Sequence, residues 1–202
     1  MKLARHLYRI KLAILKRYWQ ISGRILLNSH EVKYQSGIRL YGFPIIKKSK
    51  NSNIKIGKDV VLCSDSRFTD LGISKPTILR TLKDHAKIEI GDRSGLSGTT
   101  ICAMKSISIG AECLIGADVS IFDTDFHPIS ALNRRNNNDQ HEIKSEPVVI
   151  EENVFIGTGS IIMKGVLIGK NSIIGAGSVV NRSIPENSIA AGNPCKVIRT
   201  LD

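Results

Sequence analysis

The chain has 202 residues, of which 42% are apolar and only 5% aromatic, enough for one domain with its own core. Its net charge of +11 is concentrated in residues 1–60, where 14 Lys and Arg face two acids; residues 61–202 hold 15 against 16. Four cysteines without paired spacing exclude a disulfide framework and a structural zinc site, and no apolar run of about 20 residues exists to span a membrane. A reduced, cytoplasmic compartment is therefore expected.

Residues 2–25 predict an amphipathic helix, because apolar residues recur every three or four positions and no proline interrupts them. The apolar stripe consists of Leu3, Leu7, Ile10, Ile14, Tyr18, Ile21 and Ile25. Two interpretations stay open: the stripe packs on the rest of the protein or a neighbouring subunit, or it makes peripheral contact with an anionic membrane. A nucleic-acid arm is not expected, because nothing else in the chain resembles a reader module. We expect residues 1–27 to serve location or assembly, and not chemistry.

A repeat of six residues begins at Ile56-Gly57, after short extended segments that start near Tyr34. Residues 64–77 are less regular and predict a distorted coil or a loop. The aliphatic or apolar anchors expected in this part of the chain are Leu62, Phe68, Ile78, Ile90, Leu96, Cys102, Ile109, Ile115 and Ile121, with a one-residue slip after Cys102.

The repeat is most regular in residues 150–185, where every sixth residue is aliphatic and the fifth slot is small or branched. The anchors are Ile150, Ile156, Ile162, Ile168, Ile174 and Val180, and the fifth-slot residues are Val154, Ser160, Val166, Ser172 and Ser178. A period of six fits neither an α-helix nor a half-buried strand. Three hexapeptides instead make a triangular coil whose anchors point into a prism, so the sequence predicts an all-β, parallel β-helix.

The repeat stops at residues 127–147, which are rich in Asn and charge and read as a loop inserted at one corner. His127 stands at the root of this loop, directly after a predicted strand. Asp123 and Asp125 precede it, and Pro128 restrains its backbone toward an extended conformation. The pattern therefore predicts a titratable imidazole held at a corner of the solenoid.

Three stretches within residues 88–200 resemble the hexapeptide-repeat, left-handed β-helix acyltransferases of the maltose, galactoside and polysaccharide O-acetyltransferase type. They are SGTTICAMKSISIGAECLIGADVSIFDTDFHP, VVIEENVFIGTGSIIMKGVLIGKNSIIGAGSVV and IPENSIAAGNPCKVIR. The resemblance implies that the coil is left-handed. With it, the expected organisation is a basic helix and linker in residues 1–50 and a β-helix acyltransferase domain in residues 51–202.

The resemblance also implies a reaction: transfer of an acetyl group from acetyl-CoA to a sugar hydroxyl. His127 matches the general base of the family, and the backbone N–H of Thr158 matches the donor to the oxyanion. No cysteine or serine need be acylated, and no metal is expected. The positions that match the family's CoA contacts are Ala176, Asn181, Arg182, Lys196 and Arg199, although Lys196 and Arg199 are read equally well as solvated charges.

The acceptor side departs from the galactoside enzymes. Phe155 stands where they carry Trp, and the Ser97-Gly98-Thr99 segment lacks the Asn that they use. The chain looks more like acyltransferases of capsule, lipopolysaccharide or exopolysaccharide pathways, with Asp123, Asp125 and Thr99 as acceptor-side candidates. The family further implies a homotrimer, in the cytoplasm or at the inner face of the membrane.

Three alternatives remain at this stage. An N-acetyltransferase of an amino sugar, or a serine-type acetyltransferase, would use the same solenoid and acetyl-CoA. A non-catalytic scaffold would bind no CoA. A metal-dependent carbonic anhydrase needs three histidines around one metal, and only His85, His127 and His141 are available, without ligand spacing.

Overall fold

The computed structural model describes residues 2–136 and 142–201, in which an N-terminal helix precedes short strands wound into a three-sided prism. His141 and the middle of the predicted 127–147 loop lie outside the described residues. The elements are α1 (Lys2–Ser29), β1 (Lys33–Tyr34), β2 (Arg39–Tyr41), β3 (Ile45–Lys47), β4 (Asn53–Ile56), β5 (Val61–Cys63), a 3₁₀ turn (Ser66–Phe68), β6 (Ile78–Thr81), β7 (Lys87–Ile90), β8 (Gly95–Ser97), β9 (Thr100–Ala103), β10 (Ser106–Ile109), β11 (Leu114–Ile115), β12 (Ser120–Phe122), α2 (Ala131–Asn136), β13 (Val148–Ile150), β14 (Phe155–Ile156), β15 (Ile161–Ile162), β16 (Leu167–Ile168), β17 (Ile173–Ile174), β18 (Val179–Val180), β19 (Ser188–Ala191) and β20 (Lys196–Thr200).

Three stacked sheets form the sides of the prism. Sheet A has the order β1-β4-β7-β10-β13-β16, sheet B has β2-β5-β8-β11-β14-β17-β19-β20, and sheet C has β3-β6-β9-β12-β15-β18. Successive strands within a sheet are parallel and come from successive coils, until β20 turns back antiparallel to β19 and ends sheet B. The parallel β-helix predicted from the period of six is confirmed.

The core is the interior of this prism. All six anchors in residues 150–180 are buried, as are all five fifth-slot residues. The buried hydroxyls have partners: Ser172 donates to the carbonyl of Pro185 (2.7 Å) and Ser178 to that of Gly175 (2.6 Å). Small hydroxyl side chains are therefore compatible with the water-free interior, because these hydroxyl groups donate hydrogen bonds to backbone carbonyls at the corners of the prism.

Three anchors predicted in the less regular coils are wrong. Phe68 lies outside the prism in the 3₁₀ turn, and the inward positions are Leu79 instead of Ile78 and Ile101 instead of Cys102. The insertion at residues 64–77 puts the six-residue count off by one at Ile78, and the step from the correctly predicted Leu96 to Ile101 is one residue short, which displaces the anchor expected at Cys102. Because side chains alternate along a strand, a slip of one residue exchanges the inward and outward sets.

The β-helix begins earlier than predicted. β1, β2 and β3 pair with β4, β5 and β6, so they already form its first coil. The boundary between helix and β-helix lies near residue 32, and not at residue 50. The first coil was missed because a step of eight residues separates its buried Ile46 from the next buried aliphatic residue, Ile54, which interrupts the count of six that leads from Leu40 to Ile46.

Helix α1 packs against the first coil through Trp19, Gly23 and Leu27, which are buried. A Cβ at Gly23 would collide with the side chain of Leu40, so glycine allows this close approach. The predicted apolar stripe takes little part: all seven of its residues are exposed, although the Tyr18 ring touches Phe43 of the first coil. Of the interpretations left open, packing of the stripe on this chain's own β-helix is therefore wrong, whereas contact with a neighbouring subunit or a membrane stays a prediction. No helix within the described ranges is both long and apolar enough to cross a bilayer.

Two insertions leave the prism at different corners. Residues 64–77 connect sheet B to sheet C, at what we call the BC corner, and residues 123–147 connect sheet C to sheet A, at the CA corner. The first insertion is tied to a later coil by the Ser74 N–H, which donates to the Asp118 carboxylate (3.0 Å). Each coil passes both corners, so residues distant in sequence line up along each of them.

All four cysteines are free and buried. Burial raises the pKa of each thiol, most simply for Cys113, whose Sγ lies in the prism and donates to the Glu151 carbonyl (3.0 Å). A raised thiol pKa leaves little thiolate at neutral pH, so these side chains are suited to packing and not to nucleophilic catalysis.

Candidate active site

Thr158 and Ala176 lie one above the other at the BC corner, directly after the neighbouring strands β14 and β17. The residue before Thr158 must be glycine, because a Cβ on Gly157 would collide with the backbone nitrogen of Ala176 in the next coil. Lys196 continues the same edge, since it pairs with Ala191 at the end of β19, the next strand of sheet B. Three of the predicted site residues therefore share one corner.

A groove of about 570 Å³ runs along this corner. One wall is the outer face of sheet B, including Phe155 and Ile173, and Thr158 and Ala176 lie at its base. Residues 68–71 of the first insertion form the facing wall. A mainly apolar groove with a few polar groups is the usual form of a small-molecule site.

The wall formed by residues 68–71 is a feature that the repeat pattern did not identify. The Phe68 ring stacks on Tyr41 (centroids 5.1 Å apart) and meets the edge of Trp19 (5.3 Å), which ties the wall to helix α1. The Thr69 hydroxyl is buried and has no hydrogen-bond partner among the described residues. The sequence signal that could have indicated this wall was Phe68 itself, an aromatic residue in a chain that has few of them.

The backbone N–H of Thr158 has no protein acceptor within the described residues. The other polar groups of this residue are engaged: its hydroxyl donates to the Ala117 carbonyl (2.7 Å), and its carbonyl accepts from the Gly177 N–H (2.8 Å). An unpaired backbone donor at the base of a groove is the kind of group that stabilises a developing oxyanion.

His127 lies at the CA corner, with sheet C between it and the groove, and does not line the groove. Its side chain is exposed, and Pro128 after it is buried. The His127 N–H donates to the Asp125 carbonyl (2.7 Å), which closes a three-residue γ-turn centred on Phe126 with φ of +62°. This positive-φ form of the γ-turn is rare and strained for a bulky residue. Strain next to a candidate base is typical of functional sites.

Packing on both sides holds this turn. The Phe126 ring lies against Phe122 (5.4 Å), and the Phe126 N–H donates to the Thr124 hydroxyl (3.2 Å). The half-buried carboxylate of Asp125 is 3.6 Å from the Lys164 ammonium group of the next coil. The imidazole is therefore carried on a fixed segment of backbone, although the loop beyond it is long.

The remaining predicted positions divide between the two corners. Asn181 and Arg182 are exposed and follow β18, at the CA corner with His127. Arg199 is exposed on β20 and pairs with Ile189, beside Lys196. One chain thus holds the candidate base on one corner and the candidate oxyanion donor on another, and does not bring them together.

Asp123 and Thr99 cannot contact an acceptor, because both are completely buried. The Asp123 carboxylate accepts the backbone N–H groups of Met104 (2.6 Å), Lys105 (2.6 Å) and Ser106 (2.8 Å). Burial raises the pKa of this carboxyl group, and the three donors act in the opposite direction. Their assignment to the acceptor site is corrected here: Asp123 joins two coils at the CA corner.

Asp123→Asn is expected to lower the free energy of unfolding by about 2–4 kcal/mol, because an amide has one acceptor oxygen and would turn its NH₂ toward backbone donors. Urea unfolding at fixed protein concentration measures the change. Asp125→Asn is the matched control and should cost less, about 1 kcal/mol, because its carboxylate makes one long contact (3.6 Å) with Lys164 where Asp123 accepts three backbone N–H groups. A stable Asp123→Asn protein with weakened acceptor binding would restore the substrate role.

Metal-ligating residues do not cluster within residues 2–136 and 142–201, where no group of three His, Cys, Asp or Glu side chains could hold an ion. His85 and His127 both lie at the CA corner, after β6 and β12. The third histidine of the carbonic anhydrase alternative, His141, lies outside the described residues.

Comparison with known proteins finds transferase-type hexapeptide repeats in part of the chain. The sequence pattern of the bacterial transferase hexapeptide (six repeats) matches residues 147–182, and that of the hexapeptide repeat of succinyl-transferase matches residues 106–123. These matches place hexapeptide repeats of transferase type in two stretches of the chain. The repeats in residues 147–182 contain Phe155, on β14, and Thr158 and Ala176, in the turns after β14 and β17.

Two relatives and one solved structure illustrate the likeness. A galactoside O-acetyltransferase of Escherichia coli (strain K12) is 43% identical over 103 residues, 51% of this chain and 48% of that protein. A polysialic acid O-acetyltransferase of Escherichia coli O1:K1 is 39% identical over 116 residues, 56% of this chain and 36% of that protein. The structure of a galactoside acetyltransferase in complex with coenzyme A has a TM-score of 0.53 and 28% identity, covering 84% of this chain and 65% of that chain. The chain thus spans about half the length of the curated relatives or less, and the left-handed β-helix implied by the sequence is confirmed.

Proposed function

We propose that the protein transfers an acetyl group from acetyl-CoA to a hydroxyl group of a carbohydrate. The observation that carries the proposal is the groove at the BC corner, where Ala176 and the unpaired N–H of Thr158 lie within the repeats of a transferase family. Relatives named as galactoside and polysialic acid O-acetyltransferases support the reaction class.

The proposed reaction is a direct transfer. His127 accepts the proton of the acceptor hydroxyl as its oxygen attacks the thioester carbonyl carbon. The tetrahedral intermediate places its negative oxygen on the Thr158 N–H. The C–S bond then breaks, and the CoA sulfur leaves as a thiol with the proton that His127 returns. An acyl-enzyme on cysteine is not needed, and the buried thiols with raised pKa do not favour one.

The proposed CoA site follows the BC corner. The pantetheine arm would lie along the groove past Ala176, and the phosphates would lie near Lys196 and Arg199 at the end of sheet B. Exposed cations suit phosphate groups, which they contact by charge-assisted hydrogen bonds.

A homotrimer completes this site in the proposal. His127, Asn181 and Arg182 lie on one corner, and Thr158, Ala176 and Lys196 on another. If the CA corner of one copy meets the BC corner of the next, the base and the oxyanion donor face each other between copies. Cyclic symmetry would then build three equal sites.

The acceptor is proposed to be a saccharide of capsule, lipopolysaccharide or exopolysaccharide type. Phe155, exposed at the groove, offers a ring face for a sugar, and Asp125 stands beside the base. The reaction is placed in the cytoplasm, where acetyl-CoA is made and free thiols stay reduced. An N-acetyltransferase acting on an amino sugar, or a serine-type acetyltransferase, is the second candidate for the same groove.

Labelled acetyl-CoA incubated with matched panels of neutral and amino saccharides tests the reaction. We expect labelled product from a neutral saccharide, and we expect mild alkali to release the label, because esters hydrolyse under conditions that leave amides intact. Alkali-stable label on the amino saccharides would replace the proposal with N-acetylation. Absence of a thermal shift with acetyl-CoA would favour a scaffold without catalysis.

A further inference from the structure

Helix α1 carries an apolar stripe that residues 2–136 and 142–201 leave exposed. Its seven members are exposed by between 44% and 70%, although they are large apolar residues. They are Leu3, Leu7, Ile10, Ile14, Tyr18, Ile21 and Ile25. An exposed apolar strip of this length is unusual on a protein surface and marks a contact with another surface.

The helix has a second face for packing, on its opposite side. At about 100° per residue, Gly23 and Trp19 point away from the centre of the stripe by roughly half a turn. That second face packs on the first coil, where the side-chain amide of Gln20 donates a hydrogen bond to the Leu40 carbonyl (2.7 Å). The stripe is therefore free while the helix is fully docked on the protein.

The spacing of the stripe suits a flat surface better than a partner helix. Leu3, Ile14 and Ile25 are separated by eleven residues, about three full turns, so the stripe stays within about 80° of the helix circumference over its whole length. A left-handed coiled coil needs a repeat of seven. Continued from Leu3 and Ile10, that repeat would put Arg17 and Arg24 in the seam, and the register that contains Tyr18 and Ile25 would put Lys11 there.

Charge decides between a second copy and a lipid surface. Residues 1–27 contain seven Lys or Arg and no Asp or Glu, and residues 31–60 add seven cations against two acids. Two such helices packed side by side would repel each other, because each carries seven cationic side chains and neither carries a carboxylate to compensate. An anionic headgroup layer offers the complementary charge, at about 1 kcal/mol for each cation near it.

We propose that α1 lies flat on a bilayer that contains anionic lipid, with the stripe in the acyl boundary and Lys11, Arg17 and Arg24 at the headgroups on either side of it. Tyr18 suits the interface through its ring and hydroxyl, and its ring meets Phe43 of the first coil (5.6 Å), so the apolar surface continues onto the β-helix.

The proposed docking also sets the distance of the groove wall from the membrane. Trp19, on the far side of the helix, contacts Phe68 in that wall. Docking therefore holds that wall about one helix diameter, roughly 10 Å, from the headgroups.

Vesicle co-sedimentation of the full chain tests this docking without any catalytic assay. The probes are vesicles of phosphatidylcholine alone and vesicles with about 30% phosphatidylglycerol. We expect binding to the anionic vesicles, at least about tenfold weaker binding to the neutral ones, and weakening by added salt. Deleting residues 1–27 is not a clean test, because it also removes the buried Trp19 and Leu27.

The double variant Ile14→Glu, Ile21→Glu should lose at least about tenfold in binding to anionic vesicles, because it removes apolar burial and adds two negative charges to the stripe. Its matched control is Ile129→Glu, Leu132→Glu, which makes the same chemical change at exposed residues of the second insertion (66% and 82% exposed). The control should bind vesicles as wild type does, and both variants should have the melting temperature of wild type.

Equal binding by the two variants, or no binding by wild type, would overturn the proposal. A smaller particle for the stripe variant with unchanged lipid binding would assign the stripe to a second copy.

Discussion

His127→Ala is expected to lower kcat by at least about a hundredfold, the usual effect of removing a general base. The melting temperature and the affinity for acetyl-CoA should stay close to those of wild type. The imidazole is exposed, adds nothing to the prism core and does not line the groove. Turnover assays, thermal melting and calorimetric titration with acetyl-CoA measure the three quantities.

His85→Asn is the control for this substitution. His85 is exposed at the same corner, and its φ of +63° would strain alanine, whereas asparagine adopts this conformation readily. The control should keep nearly all activity. If His127→Ala kept more than about a tenth of wild-type turnover, the base would have to be another group, and the direct-transfer mechanism proposed above would fail.

Two inactive variants are expected to restore activity when they assemble together. His127→Ala removes the base at the CA corner, and Ala176→Trp fills the groove at the BC corner, where Ala176 is exposed and a larger side chain leaves the prism intact. If each site takes its base from one copy and its groove from the next, every trimer that contains both variants has one intact site in three, so about a third of the sites are intact after tandem purification. Co-expression with two affinity tags, tandem purification and turnover measurement give the recovered fraction.

A site contained within one chain predicts the opposite result. If base and groove belonged to one chain, every chain in the mixture would carry a defect, and no activity would return. The control is a mixture of separately assembled proteins, which should stay inactive until subunits exchange. A fully active monomer in a mass measurement at micromolar concentration would also contradict the shared site.

Much of the fold was readable from sequence because a β-helix is a local, repeating structure. Each hexapeptide makes one strand and one corner, so the anchors of residues 150–180 report their burial independently of the distant chain. The prediction was wrong at Phe68 and Ile78, where an insertion broke the count, and at Cys102, where the step from Leu96 to the inward Ile101 is five residues. It also missed the first coil, where a step of eight residues interrupts the period.

The candidate site was less predictable for a different physical reason. Motif matching proposes residues by chemical type, but burial decides which of them a substrate can reach. Asp123 has the right chemistry for an acceptor site, yet three backbone N–H groups occupy it. The groove wall at residues 68–71 has no motif, because it is made by an insertion packed on helix α1.

The sequence by itself determined the repeat, the corner position of His127 and the basic, apolar-striped helix, since each depends on spacing along a few turns or coils. Only the tertiary structure decided which face of α1 packs, which corner each site residue occupies and which polar groups are already satisfied. Those depend on contacts between residues far apart in the chain, such as Phe68 with Trp19. A local period cannot encode such contacts, because they are set by where the coils stack and where the insertions fold back.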